Sequence, residues 1–147
     1  MFEKFTDSAR RCLFVARAKA AERGGDLISS DDLLAGIVVV APQTILELGG
    51  TATAALTATE SIEELLQRLE RQIESWEART SKIGRFTNSA TVALNRAIEE
   101  SEALGHNYVG PEHILSALLS DEGTRAWSQL NEAGLQLSAV RERMRNK

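Results

Sequence analysis

Few side chains in this 147-residue chain could do chemistry. The two histidines, His106 and His113, stand seven positions apart. Two imidazoles without a supporting thiol fall short of a zinc ligand set, so a structural role is expected for both and no metal site. Cys12 is alone, which excludes an internal disulfide and suits a reducing compartment. It reads as a small core residue, because it aligns with Ala93 in the duplication described next. No nucleophile is paired with a base, so nothing marks a hydrolase. That leaves two acids, Asp31 and Glu112, each placed where an apolar run begins. An acid in the first turn of a helix stabilises it by about 0.3–1 kcal/mol.

The elements that position these acids come in two copies. Phe5–Val38 lies over Phe86–Leu119 with no gap, and Phe5/Phe86, Thr6/Thr87, Ser8/Ser89, Ala9/Ala90, Leu13/Leu94, Ala16/Ala97, Gly24/Gly105 and Leu34/Leu115 are identical. Unrelated segments of ordinary composition share only about 2 identities over such a span. One unit has therefore been duplicated. Two prolines and abundant Ala, Leu, Glu and Arg predict an all-α chain.

In each copy a threonine, Thr6 or Thr87, caps a first helix, and a glycine closes it, at Gly24-Gly25 and at Gly105. The buried faces are expected at Ala9, Leu13, Ala16 and Ala20, and at Ala90, Leu94, Ala97, Ile98 and Ser101. An apolar tie follows, Leu27-Ile28 or Tyr108-Val109, and then a second helix, capped by Ser29 in the first copy and opened by Gly110-Pro111 in the second. The run from Leu33 to Val40 is apolar nearly all round and predicts a buried helix. Pro42 opens a short third helix that stops near Gly49-Gly50, and Thr124 to Ala133 is its counterpart. Thr51 to Thr59 is weakly patterned. Ser61-Ile-Glu-Glu64 has capping-box spacing and opens a helix to about Arg79, with Ile62, Leu65, Leu66, Leu69, Ile73 and Trp76 as its apolar stripe. Ser138 is expected to cap the last helix, whose basic end suits a helix C-terminus. The expectation is one domain over residues 1–147 with eight helices, as two four-helix repeats related by an approximate twofold axis. Repeat 1 covers about 1–79, a linker about 80–85, and repeat 2 about 86–147.

The net charge of −4 gives no basic face for nucleic acid. No apolar run approaches the ~18 residues of a membrane span. Met1-Phe-Glu-Lys-Phe5 lacks the apolar core of a signal peptide, so a cytoplasmic protein is expected. Glu99, Glu100 and Glu102 read as a solvated helix face, with a basic adaptor as the other use. Trp76 and Trp127 read as packing anchors.

Met1-Phe-Glu-Lys-Phe-Thr-Asp-Ser-Ala-Arg10 and Leu104-Gly-His-Asn-Tyr-Val-Gly-Pro-Glu-His-Ile-Leu115 resemble the N-terminal domain of the Clp family of AAA+ protein unfoldases, most like the ClpC type. The second stretch is close to the family's L-G-H-N-Y-[IV]-G-T-E-H-I-L, and the resemblance covers nearly the whole chain. Arg23-Gly-Gly-Asp-Leu-Ile-Ser-Ser-Asp-Asp-Leu-Leu34 keeps only the skeleton of that motif, and its Ile-Ser-Ser is similar to the ClpB branch.

The resemblance implies a bacterial, non-catalytic module without a cofactor that docks protein substrates and adaptors at the mouth of the Clp ATPase ring. These residues hold no G-x-x-x-x-G-K-[ST] phosphate loop. A free-standing homologue that binds the ring as a regulatory or structural subunit is the alternative. ClpC-type members further resemble readers of phosphoarginine, with one site per repeat. By position Glu112 and Asp31 would hold the guanidinium, and the helix starts at Thr6 and Thr87 would receive the phosphate, a division that suits the chemistry of both groups. Asp31 is one methylene shorter than Glu112, and Ser30 and Pro111 replace the usual threonine before the acid, so the first site is expected to be the weaker. The resemblance also implies that Phe2 and Phe86 border a peptide and adaptor surface, with ordinary core the other reading for Phe86 and Phe5.

Overall fold

The computed structural model describes residues 3–22, 27–50 and 85–145. In the first repeat these form α1 (Asp7–Glu22), β1 (Leu27–Ile28), α2 (Ser30–Val40) and α3 (Pro42–Glu47). The second repeat supplies β2 (Arg85–Phe86), α4 (Asn88–Ala103), α5 (Pro111–Leu119), α6 (Arg125–Glu132) and α7 (Leu137–Arg145). Most of the described residues are thus helical, in seven helices, with two two-residue strands among them. Phe2, the Gly24-Gly25 stop, the weakly patterned Thr51 to Thr59, the helix expected from Ser61 to Arg79 with Trp76, and the linker before Arg85 lie outside the described residues.

Local chemistry sets the helix starts. Thr6 Oγ1 accepts from Ala9 N–H at 3.1 Å, and Thr87 Oγ1 accepts from Ala90 N–H at 3.1 Å. Ser29 caps α2 in a full capping box: its hydroxyl accepts from Asp32 N–H, and the Asp32 carboxylate accepts from Ser29 N–H at 2.9 Å. Thr124 caps α6 through Trp127 N–H, and Pro42 and Pro111 occupy first-turn positions where no N–H is missed. The last helix corrects the expected cap. It begins at Leu137, with Gln136 O accepting from Val140 N–H, so Ser138 lies inside the first turn.

The expected faces are the buried ones. Leu33, Leu34 and Ile37 of α2 and their counterparts Ile114, Leu115 and Leu118 of α5 are at most 2% exposed and form the centre of one shared core. Each first helix packs along the second helix of its own repeat. The α1–α2 crossing is very close, because a Cβ on Gly36 would overlap the Cys12 carbonyl oxygen. Ala93 and Ala117 hold the equivalent positions in the second repeat.

The two repeats are joined by a crossed exchange of their ties. Leu27 and Ile28 pair in parallel with Arg85 and Phe86, so Arg85, expected at the end of a linker, is a strand residue. Phe5 forms the matching parallel bridge to Val109. The hydrogen bonds repeat the symmetry: Thr87 N–H donates to Ile28 O and Thr6 N–H to Val109 O, both at 2.9 Å. Each repeat's first residues therefore pair with the other repeat's tie, and the two pairings are equivalent under an approximate twofold axis.

Candidate functional site

The crossed ties decide which groups become neighbours. Val109 leads directly into Gly110, Pro111 and Glu112, and it is bonded to Thr6. The capped start of α1 therefore adjoins the acid-bearing start of α5. By the same pairing, Thr87 at the start of α4 adjoins the stretch from Ile28 to Asp31 at the start of α2. Each candidate site is thus built from both repeats: Thr6 with Glu112, and Thr87 with Asp31.

The helix starts keep capacity for an anion. At α1 the Thr6 N–H goes to Val109, the Ala9 N–H to Thr6 Oγ1 and the Arg10 N–H to Thr6 O. The N–H groups of Asp7 and Ser8 precede the first intrahelical bond and have no acceptor within the helix. Asn88 and Ser89 occupy the same positions at α4, where Thr91 N–H closes the first turn on Thr87 O. Thr6 and Thr87 are half-buried, Asp31 is exposed and the Glu112 side chain is 14% exposed.

Glu112 folds back over Gly110, and a Cβ on residue 110 would overlap its carboxylate. Burial pushes the Cys12 thiol up to about 12, and the Glu112 charge adds to that rise. Cys12 is accordingly a buried, protonated core thiol.

The crossing gives the two sites opposite handicaps. Asp7 puts a negative charge in the first turn of α1, whereas neutral Asn88 opens α4. Glu112 has the longer carboxylate arm, and the start of α4 carries no acid in its first turn.

The two histidines hold a structural position next to Glu112. Gly105 takes a φ of 73°, which lets the chain turn back so that His106 N–H donates to Ser101 O and Gly105 N–H to Glu102 O. His106 is thereby stacked on Tyr108, with ring centroids 5.2 Å apart, and edge-on to His113 at 5.1 Å. Gly110 N–H donates to His113 Nδ1 at 2.9 Å, so His113 caps the start of α5 from its third position. A ring nitrogen that accepts carries no proton, which leaves the proton of neutral His113 on Nε2. That Nε2 lies 2.8 Å from His106 Nδ1 and donates to it.

Phe5 is 4% exposed and belongs to the core, while Phe86 is half-buried against it. Sequence reasoning missed that each apolar tie has two faces. Ile28 and Val109 point inward, whereas Leu27 and Tyr108 at the equivalent preceding positions are 47% and 41% exposed. Strand alternation is the signal that could have found them. Glu100 departs from the solvated-face reading. Its carboxylate accepts from Arg141 Nε at 2.5 Å and Ser116 Oγ at 3.0 Å, tying α4 to α7 and α5, while Glu99 and Glu102 are exposed as expected. Trp127 packs half-buried against the core.

Among the described residues no cluster of three His, Cys, Asp or Glu side chains could hold a metal, and no helix is long and apolar enough to cross a membrane. Residues 85–147 match the family model described as the Clp repeat (R) N-terminal domain. The negative regulator of genetic competence ClpC/MecB of Bacillus subtilis is 30% identical over 98% of the chain. A ClpA homologue described as an ATP-dependent Clp protease ATP-binding subunit, from Trieres chinensis, is also 30% identical, over 96% of the chain. The chain spans 17% and 15% of the length of these two relatives. The crystal structure of the N-terminal domain of the chaperone ClpD from Arabidopsis thaliana shares the fold, with a TM-score of 0.64, 21% identity and full coverage of both chains. Residues 85–147 thus belong to the Clp repeat (R) N-terminal domain family, and the whole chain shares the fold of a Clp N-terminal domain.

Proposed function

We propose that this chain is a non-catalytic docking module that receives protein substrates and adaptors for a Clp ATPase ring, carried in cis or met in trans, and that it reads phosphorylated arginine. In this reading Glu112 and Asp31 take the planar guanidinium, and the helix starts capped by Thr6 and Thr87 take the phosphate. The observation that carries it is the crossed bonding of Thr6 to Val109 and Thr87 to Ile28, which brings a capped helix start and an acid together twice. A phosphoarginine has both halves of the complementary charge within one side chain. Phe86 and the exposed Leu27 and Tyr108 supply apolar contact to the flanking peptide, with Phe2 the further residue expected on that surface. The short Asp31 arm weakens one site, and Asn88 keeps its phosphate half intact, so residual binding is expected there.

Isothermal titration with a phosphoarginine peptide tests the reading. Micromolar-range or weaker binding that falls about tenfold or more on Glu112→Ala supports it, since a charge-assisted pair contributes about 1.5–3 kcal/mol. Absence of binding by the unmodified protein overturns the phosphoarginine assignment and leaves adaptor docking to be judged by its own binding assay.

A further inference from the structure

The histidine pair abuts Glu112, and its hydrogen bonds leave an incoming proton few places to go. In the neutral state the order is fixed: Gly110 N–H donates to His113 Nδ1, and His113 Nε2–H donates to His106 Nδ1. His106 then carries its own proton on Nε2, and the residue is half-buried. His113 is 0% exposed, and burial by itself makes that ring a poor place for a charge, whereas His106 is only half-buried. Tyr108 stacks on His106, the Glu112 Oε1 lies 3.4 Å from His113 Nδ1, and the Glu112 charge is felt at Cys12 of α1. Glu112 is the carboxylate among these neighbours.

We propose that His106 and His113 form a proton relay that couples mild acid to Glu112, and so regulates the docking site of the preceding section. When the pair takes up one proton, the proton between the rings passes from His113 Nε2 to His106 Nδ1. The incoming proton lands on His113 Nδ1. His106 becomes the imidazolium, and His113 stays neutral in its other tautomer. Its Nδ1–H now points at the Glu112 carboxylate and repels the Gly110 N–H it formerly accepted. Acid therefore removes the cap at the start of α5 and engages the carboxylate that would hold a guanidinium. Ligand binding at Glu112 weakens as a result, and by linkage a bound ligand disfavours protonation of the pair.

Nuclear magnetic resonance of the imidazole nitrogens in the 147-residue chain tests the relay without any ligand. Between about pH 7.5 and about pH 5.5, the range in which imidazoles titrate, His113 Nδ1 should change from unprotonated to protonated while Nε2 changes the opposite way. The Gly110 amide should shift with the same midpoint. His106→Asn keeps an acceptor near the Nδ1 position and cannot take the proton, so His113 should hold its Nε2–H tautomer throughout. Imidazolium shifts on both His113 nitrogens, or an unchanged His113 while His106 titrates, would overturn the relay. Titration of a phosphoarginine peptide at the same two pH values reads the consequence. The unmodified protein should lose about threefold to tenfold more affinity on acidification than His106→Asn, since one linked proton changes affinity at most tenfold per pH unit. The phosphate's own protonation acts equally on both proteins. Equal losses overturn the regulatory claim. Absence of peptide binding at either pH overturns the docking-site assignment and with it this regulation of it, while the nitrogen shifts still judge the relay.

Discussion

Replacing Gly36 by alanine should destabilise the domain although the substitution improves helix propensity. The new Cβ would overlap the Cys12 carbonyl oxygen and lie 3.0 Å from its carbonyl carbon and 3.2 Å from its Cα. These are backbone atoms of α1, so no rotamer change relieves the contact and the two helices must separate. Overpacking of this kind costs roughly 1–3 kcal/mol. Alanine recovers about 1 kcal/mol relative to glycine within a helix. An overlap with main-chain atoms sits in the upper half of that overpacking range, about 2–3 kcal/mol, so the net loss is about 1–2 kcal/mol. With a urea m-value near 2 kcal/mol/M, the unfolding midpoint should fall by about 0.5–1 M at unchanged m. Adding Cys12→Ala should give no rescue, because the obstructing atom belongs to the main chain. A midpoint equal to or above that of the parent, or full rescue by Cys12→Ala, would refute the backbone-contact reasoning.

Two further outcomes follow from other contacts. Glu100→Ala removes the acceptor shared by Arg141 and Ser116, and a loss of about 1–2 kcal/mol is expected in urea unfolding. Arg141 is 42% exposed, so part of that loss should fade in high salt. For Cys12, a folded value near 12 lies above an unfolded value near 9, so the thiol's contribution is present below about pH 9 and is lost as pH rises toward 12. Stability should therefore fall over that window by up to about 1.4 kcal/mol per unit from this group, less steeply in Cys12→Ala, and the native thiol should resist alkylation at pH near 8 until denaturant is added.

Much of the scaffold was legible because caps are local devices. Thr6, Ser29 and Thr87 each bond an amide three residues on, an interaction complete within one turn. Ser138 shows the limit of that logic. A serine near a predicted start suits a cap, but Leu137 packs half-buried against the core, and the helix begins one residue earlier. What joins distant stretches was not legible. Glu100 looked solvated beside Glu99 and Glu102, since Arg141 lies 41 positions away. The duplication implied a twofold axis and equivalent faces, yet it gave no means of telling whether each threonine serves its own repeat's acid or the other's. That choice is made by the pairing of Ile28 with Phe86 and of Phe5 with Val109, contacts between stretches far apart in the chain.

The central claim is that each ligand site is assembled from both repeats, and paired substitutions read by phosphoarginine-peptide titration test it directly. Aspartate is a good helix cap, so Thr6→Asp and Thr87→Asp keep the helix starts while placing a carboxylate where the phosphate would bind. Combined with Glu112→Gln, Thr6→Asp strikes one site twice, and the residual binding of the Glu112→Gln single variant should persist. Glu112→Gln with Thr87→Asp strikes both sites, and binding should vanish. Residual binding in the second pair and none in the first would place each site within a single repeat and contradict the account.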